Sequence, residues 1–123
     1  MSFEIHLYSG RAASFATAIY ESNGTTEISL AANDVVRFKI GTNAAAPAVE
    51  LESTDTLAGG STLTFTTSTG DCVITLKPAD FSALTAGVYD AELGVYDTSE
   101  TAMKHAEYGV VHVHPTQLGD VDG

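Results

Sequence analysis

His112 and His114 stand two residues apart in the Val-rich run Glu107 to His114. Alternate residues of a strand share a face, so this spacing lets two imidazoles grip one metal ion. A third ligand would have to come from a neighbour, and His6, His105 and Glu107 are the available donors. Nothing local marks one of them as the partner. Both histidines therefore read as solvent-facing polar residues on an outer strand face shared with Tyr108, and no metal or cofactor is assigned.

The other candidate chemistry is thinner. Asp120-Val121-Asp122-Gly123 opens like a calcium loop, but such a loop needs twelve residues and a late bidentate glutamate. Serine and histidine are present without a Gly-x-Ser-x-Gly turn to expose a nucleophile. Cys72 falls on the inward phase of an alternating strand, which predicts a buried, inert thiol. Asp90 with Glu92, and Glu50 with Glu52, are carboxylate pairs at strand spacing. A glycosidase holds its two carboxyls across a cleft, about 5–9 Å apart, whereas same-face neighbours on an exposed strand supply solubilising charge. The expectation is a protein that is not an enzyme.

The elements that would carry these residues are short strands. Phe3, Ile5 and Leu7 alternate with polar residues, as do Val36, Phe38 and Ile40, and Leu63 and Phe65. Ala12 to Tyr20 is Ala-rich, yet Phe15, Thr17 and Ile19 also alternate. Ser22-Asn23-Gly24 is a hairpin signal, and Ile28 and Leu30 continue the pattern beyond it, so the segment reads as a strand. Pro78 suits the first position of a helical turn near 78–84. Gly87 ends it, and a long strand, Val88 to Asp97, points Tyr89, Ala91, Leu93 and Val95 inward. Thr98 to Thr101 turns the chain into a final strand with Val111 and Val113 inward.

Turn signals recur every 8–12 residues or so, and the connections are too short for parallel crossovers. The predicted fold is all-β: an antiparallel immunoglobulin-like β-sandwich of about eight strands with one short helical turn. Leu84-x-x-Gly87-x-Tyr89 is its structural signature, a corner tyrosine whose hydroxyl can bond back to the corner backbone.

With 123 residues and 44% apolar content, the chain is read as one domain, 1–123, with 1–20 as a contact arm and 115–123 as a short acidic tail. Sixteen acidic residues against five basic ones give a net charge of −11, which repels phosphate, so neither nucleic acid nor a membrane is expected as partner. The lone Cys72 excludes an internal disulfide, and no secretory h-region or membrane-spanning run is present.

The run from Leu76 through Pro78, Phe81, Leu84, Gly87 and Tyr89 to Leu93, with Tyr108-Gly109-Val110-Val111-His112-Val113-His114-Pro115, resembles the closing half of small Ig-like domains of tailed bacteriophage and prophage virion proteins. The resemblance spans roughly residues 25–116 and includes head decoration proteins and the N-terminal domain of baseplate upper proteins. The aromatic N-terminal strand often seen there is replaced here by the Ala-rich residues 9–20. The family carries no catalytic residues to transfer.

The resemblance implies a virion protein made in the host cytoplasm, and a lone compact sandwich fits a capsid decoration or cement protein. Its partners would be the major capsid protein or other virion proteins, with a homo-oligomer expected. Contacts would come from Ser2–Tyr20 and the loops Gly41–Pro47 and Leu57–Ser61. A tail or baseplate component is one alternative. A carbohydrate-binding or adhesion module using Tyr8, Tyr20, Tyr96 and Tyr108 is another.

Overall fold

The structure, a computed structural model, describes residues 2–21, 25–41, 48–96 and 103–115. The expected turns at Ser22-Asn23-Gly24 and Thr98–Thr101, the loop up to Pro47 and the acidic tail with its Asp120-Val121-Asp122-Gly123 motif lie outside them.

Two sheets stack face to face. The larger is ordered β1 (Ser2–Tyr8), β8 (Met103–His114), β7 (Gly87–Tyr96), β3 (Val35–Ile40), β4 (Val49–Glu52). The smaller is ordered β2 (Ala13–Ala18), β6 (Asp71–Leu76), β5 (Thr62–Phe65). Each strand contributes alternate residues to the space between them: Ile5 and Leu7, Val36, Phe38 and Ile40, Leu93 and Val95, Val111 and Val113 from one sheet, Leu63, Cys72, Ile74 and Leu76 from the other. Phe38 lies fully buried at the centre, with Phe3 tilted against it at 6.0 Å between ring centroids. These are the inward phases that the period-two alternation predicts.

α1 (Pro78–Phe81) is a single turn opened by its proline, and Phe81 drops from it into the core. Its anchor is Asp80, whose carboxylate accepts hydrogen bonds from the backbone N–H groups of Gly59 (2.8 Å) and Ser61 (2.9 Å). Ser61, fully buried, also accepts from Lys77 N–H at 2.7 Å through its hydroxyl. The loop Leu57–Ser61 is thereby tied to the helical turn.

The structure differs from the sequence expectation in three places. β1 pairs with β8 in parallel, while the other strand pairs of the two sheets are antiparallel. The crossover argument constrains strands adjacent in sequence, and these two come from opposite ends of the domain, so the whole sandwich forms their connection. Second, Ile28 and Leu30 are buried but form no strand. Ile28 N–H donates to Ile19 and Leu30 N–H to Thr69, so this stretch passes from one partner to another. Third, the stretch expected as a contact arm carries two strands of the sandwich: β1 lies in one sheet and β2 in the other, each along an edge.

Candidate functional site: a histidine ladder on the outer sheet face

The parallel register between the first and last strands sets His6 opposite His112, Tyr8 opposite His114 and Glu4 opposite Val110. All six belong to the outward phase, opposite in parity to Ile5, Leu7, Val111 and Val113. Neighbouring parallel strands lie about 4.8 Å apart, so facing aromatic rings stack across them. His6 stacks on His112 with centroids 4.5 Å apart and planes 8° from parallel, and on His114 at 5.1 Å. His114 in turn stacks on Tyr8 at 4.7 Å, and the Arg11 guanidinium sits 5.8 Å above the Tyr8 ring. The result is a column of rings zigzagging between β1 and β8.

Polar contacts join the column. His6 Nδ1 and His114 Nε2 share a hydrogen bond of 2.9 Å. Glu4 Oε2 lies 2.6 Å from His112 Nε2 and 3.6 Å from His6 Nε2. The shorter approach is not a hydrogen bond, and His112 Nε2 is shielded from solvent. Glu4, His6 and His112 each offer a ligand atom within 4.8 Å of the other two.

Of the three third-ligand candidates for His112 and His114, the fold brings up His6, but it gathers ligand atoms of His6 and His112 with Glu4 and leaves His114 as the hydrogen-bond partner of His6. Glu107 and His105 occupy the opposite phase of β8. Glu107 is buried, and its Oε2 accepts the Tyr20 N–H at 2.9 Å, tying the stretch that follows β2 to β8. His105 pairs with the buried Val95 next to a bulge. Glu4 was not legible as a member, because its place depends on the pairing of distant chain segments.

The rest of the outer face is charged and partly paired. Arg37 donates to Glu52 at 2.7 Å and lies over the Tyr96 ring at 4.7 Å, with Lys39 5.7 Å from the same centroid. Val88 and Tyr108 are open, at 62% and 58% exposure. Among the tyrosines that a glycan platform would use, Tyr8 is stacked, Tyr96 is covered by cations and Tyr20 is half-buried, leaving Tyr108 open.

A groove of about 610 Å³ runs along the flank, lined by Phe3, Tyr20, Glu27, Asp71, Cys72 and Glu107 among others. Its glutamates are committed to backbone: Glu107 to Tyr20, and Glu27 to Gly70 N–H at 3.1 Å. Burial, with the Asp71 charge beside it, pushes the Cys72 thiol up to about 12, so the nucleophilic thiolate is absent near neutrality.

The corner formed by Leu84, Gly87 and Tyr89 is structural. Tyr89 donates its hydroxyl to Thr85 carbonyl at 2.8 Å while its half-buried ring packs on the core. Leu84 is buried, and Gly87 takes φ 154°, which a side chain disfavours.

The strand order β8-β7-β3-β4 against β2-β6-β5 follows G-F-C-C′ against B-E-D, as in variable-type immunoglobulin domains, with Tyr89 at the start of the F strand. The solved structure of the NK cell receptor Nkp44, described as a triggering partner in natural cytotoxicity, superposes with a TM-score of 0.52 over 92% of this chain and 98% of that one, at 13% identity. No protein-family model and no curated protein matches the sequence. The chain is an immunoglobulin-like β-sandwich. In antibody domains a tryptophan on strand C packs against an inter-sheet disulfide whose second cysteine follows the corner tyrosine by two residues. Here Phe38 sits on the equivalent strand, and Ala91 is two residues beyond Tyr89.

Proposed function

We propose that this chain is a non-enzymatic structural protein of a bacteriophage virion, a capsid decoration or cement protein that binds across capsid subunits and stabilises the head. The observation that carries the proposal is the outer face of the five-stranded sheet. It is an open strand surface with Val88 and Tyr108 exposed beside a stacked ring column, on a scaffold held by carboxylate-to-backbone ties from Glu107 and Asp80. Exposed aromatic and aliphatic side chains rimmed by charge suit a protein contact. Repetition over a symmetric shell would sum weak contacts into avidity.

Mass spectrometry of purified virions from the host that carries the gene provides the test. Copy number near that of the major capsid protein supports decoration, and a few copies per particle place it in the tail or baseplate instead. Absence from particles refutes both. Capsids stripped of the protein should rebind it in a sedimentation assay, and V88S/Y108S should rebind at least about tenfold more weakly if this face makes the contact.

A further inference from the structure

We infer that Glu4, His6 and His112 form a binding site for a borderline divalent transition metal, of which Zn²⁺ is the type. Two imidazole nitrogens and one carboxylate are a ligand set that zinc takes with three protein donors and one open position. Calcium and magnesium, which require oxygen-rich cages, are disfavoured by the same set.

Three observations converge. First, the ligand atoms are already gathered. Metal–ligand bonds of zinc length at tetrahedral angles separate donors by about 3.4 Å; His6 Nε2 stands 3.6 Å from Glu4 Oε2, and His112 Nε2, at 2.6 Å from the same oxygen, would move outward to admit the ion. Second, the contact between His112 Nε2 and Glu4 Oε2, at 2.6 Å, brings a nitrogen and an anionic oxygen together in a solvent-shielded spot. Two lone-pair atoms at that separation repel unless a cation or a proton lies between them. Third, His6 has an orienting partner. With Nδ1 as donor to His114 Nε2, the His6 Nε2 lone pair is left free toward Glu4 and His112. A second hydrogen bond of this kind on a ligating imidazole fixes its tautomer and ring orientation. His114 is therefore a positioning residue.

The His6 and His112 planes lie 8° apart, so capture of an ion requires one ring to turn about χ2, a broad torsion in histidine. Both side chains are partly exposed, at 46% and 26%, which leaves room for the turn. The net charge of −11 raises cation concentration near the face. A bound ion would staple edge strand β1 to β8 across the sheet.

The test uses the full chain without a histidine tag, stripped with chelator, and titrated with Zn²⁺ by calorimetry and with Co²⁺ by visible absorption. The inference expects one ion per chain and a tetrahedral Co²⁺ spectrum. At a hundredfold excess over Kd, Zn²⁺ should raise Tm by about 8–14 °C. His6→Asn or His112→Asn should abolish binding, Glu4→Gln should weaken it at least tenfold, and His114→Phe should weaken it about 10–100-fold without changing the stoichiometry. His105→Asn should leave it unchanged. Circular dichroism checks that each variant is folded, and a variant that unfolds is replaced by the Gln substitution at the same position. Failure to bind Zn²⁺ below millimolar concentration overturns the inference. Binding that survives both histidine changes also overturns it. Neither result bears on virion copy number, which tests the proposed role separately.

Discussion

At the scale of single residues, Tyr89 shows how a corner is held by one side chain with two jobs. Its ring packs against the core from a half-buried position, and its hydroxyl donates to Thr85 carbonyl at 2.8 Å. Tyr89→Phe keeps the ring and loses the hydrogen bond. Thr85 is exposed, so water can take over its carbonyl, and the expected cost is about 0.5–1.5 kcal/mol. Tyr89→Ala also loses the ring. A fully buried aromatic would cost about 3–5 kcal/mol, and the half-buried position lowers that to roughly 2–3. Phe38→Ala, at a position with 0% exposure, should reach the full range. Urea unfolding of the three variants checks the order Phe38→Ala, Tyr89→Ala, Tyr89→Phe. A Tyr89→Phe loss as large as that of Tyr89→Ala would mean that the hydroxyl, and not the ring, holds the corner.

At the scale of elements, the β1–β8 pair depends on a residue with no side chain. A Cβ built on Gly109 would stand 2.1 Å from the Phe3 carbonyl oxygen and 2.6 Å from its ring, closer than atoms can approach. Gly109→Ala should therefore push β1 away from β8, costing about 2–3 kcal/mol. Amide hydrogen exchange should show protection lost first over residues 3–8, and the ring stack on His6 should loosen with it. The tie between α1 and the Leu57–Ser61 loop is electrostatic instead. Partial desolvation pushes the Asp80 carboxyl up, but hydrogen bonds from the Ser61 hydroxyl and from Ser61 and Gly59 N–H outweigh it and hold the group below its ordinary value of 3.8. A depressed folded value means stabilisation that is present above pH 3.8 and lost as pH falls through the folded value. Asp80→Asn should cost about 1 kcal/mol at pH 7, discounted for solvent access. The gap between variant and parent should close on acidification below pH 3.8. A gap that persists there would assign the effect to shape and not to charge.

These elements also show why some of the molecule was legible in the sequence. Inward phases, the proline-opened turn and the corner are local: each follows from a two-residue period or from one residue's backbone preference. Parity alone separates His112 and His114 from Glu107 and His105, since odd positions of β8 face the core. The ladder was not legible, because the register of β1 on β8 is set by closure of the sandwich between segments at opposite ends of the chain. Ile28 and Leu30 misled for a related reason: alternation reports burial, and their hydrogen bonds go to two different partners instead of one ladder.

At the scale of the whole molecule, charge and contact surface pull against each other. The outer face of the five-stranded sheet carries Glu4, Glu50, Glu52, Asp90 and Glu92 against Arg37 and Lys39. The outer face of the other sheet is small and nearly neutral: Ser14, Ala16, Ala18, Thr62, Thr64, Val73 and Thr75, with Asp71 as its acid. A chain at −11 repels itself when compact, and salt relieves that repulsion as the Debye length shrinks from about 30 Å at 10 mM to about 8 Å at 150 mM. Tm should therefore rise by a few degrees over that range, which thermal unfolding at several NaCl concentrations measures. Association with a basic shell through the charged face should move in the opposite direction, weakening as salt rises. Contact through the neutral face would leave affinity nearly indifferent to salt while Tm still climbed. Measuring both quantities on the same protein over the same salt series therefore tells which face would meet the proposed shell. A salt-independent affinity would transfer the contact from the Tyr108 and Val88 side to the Val73 side.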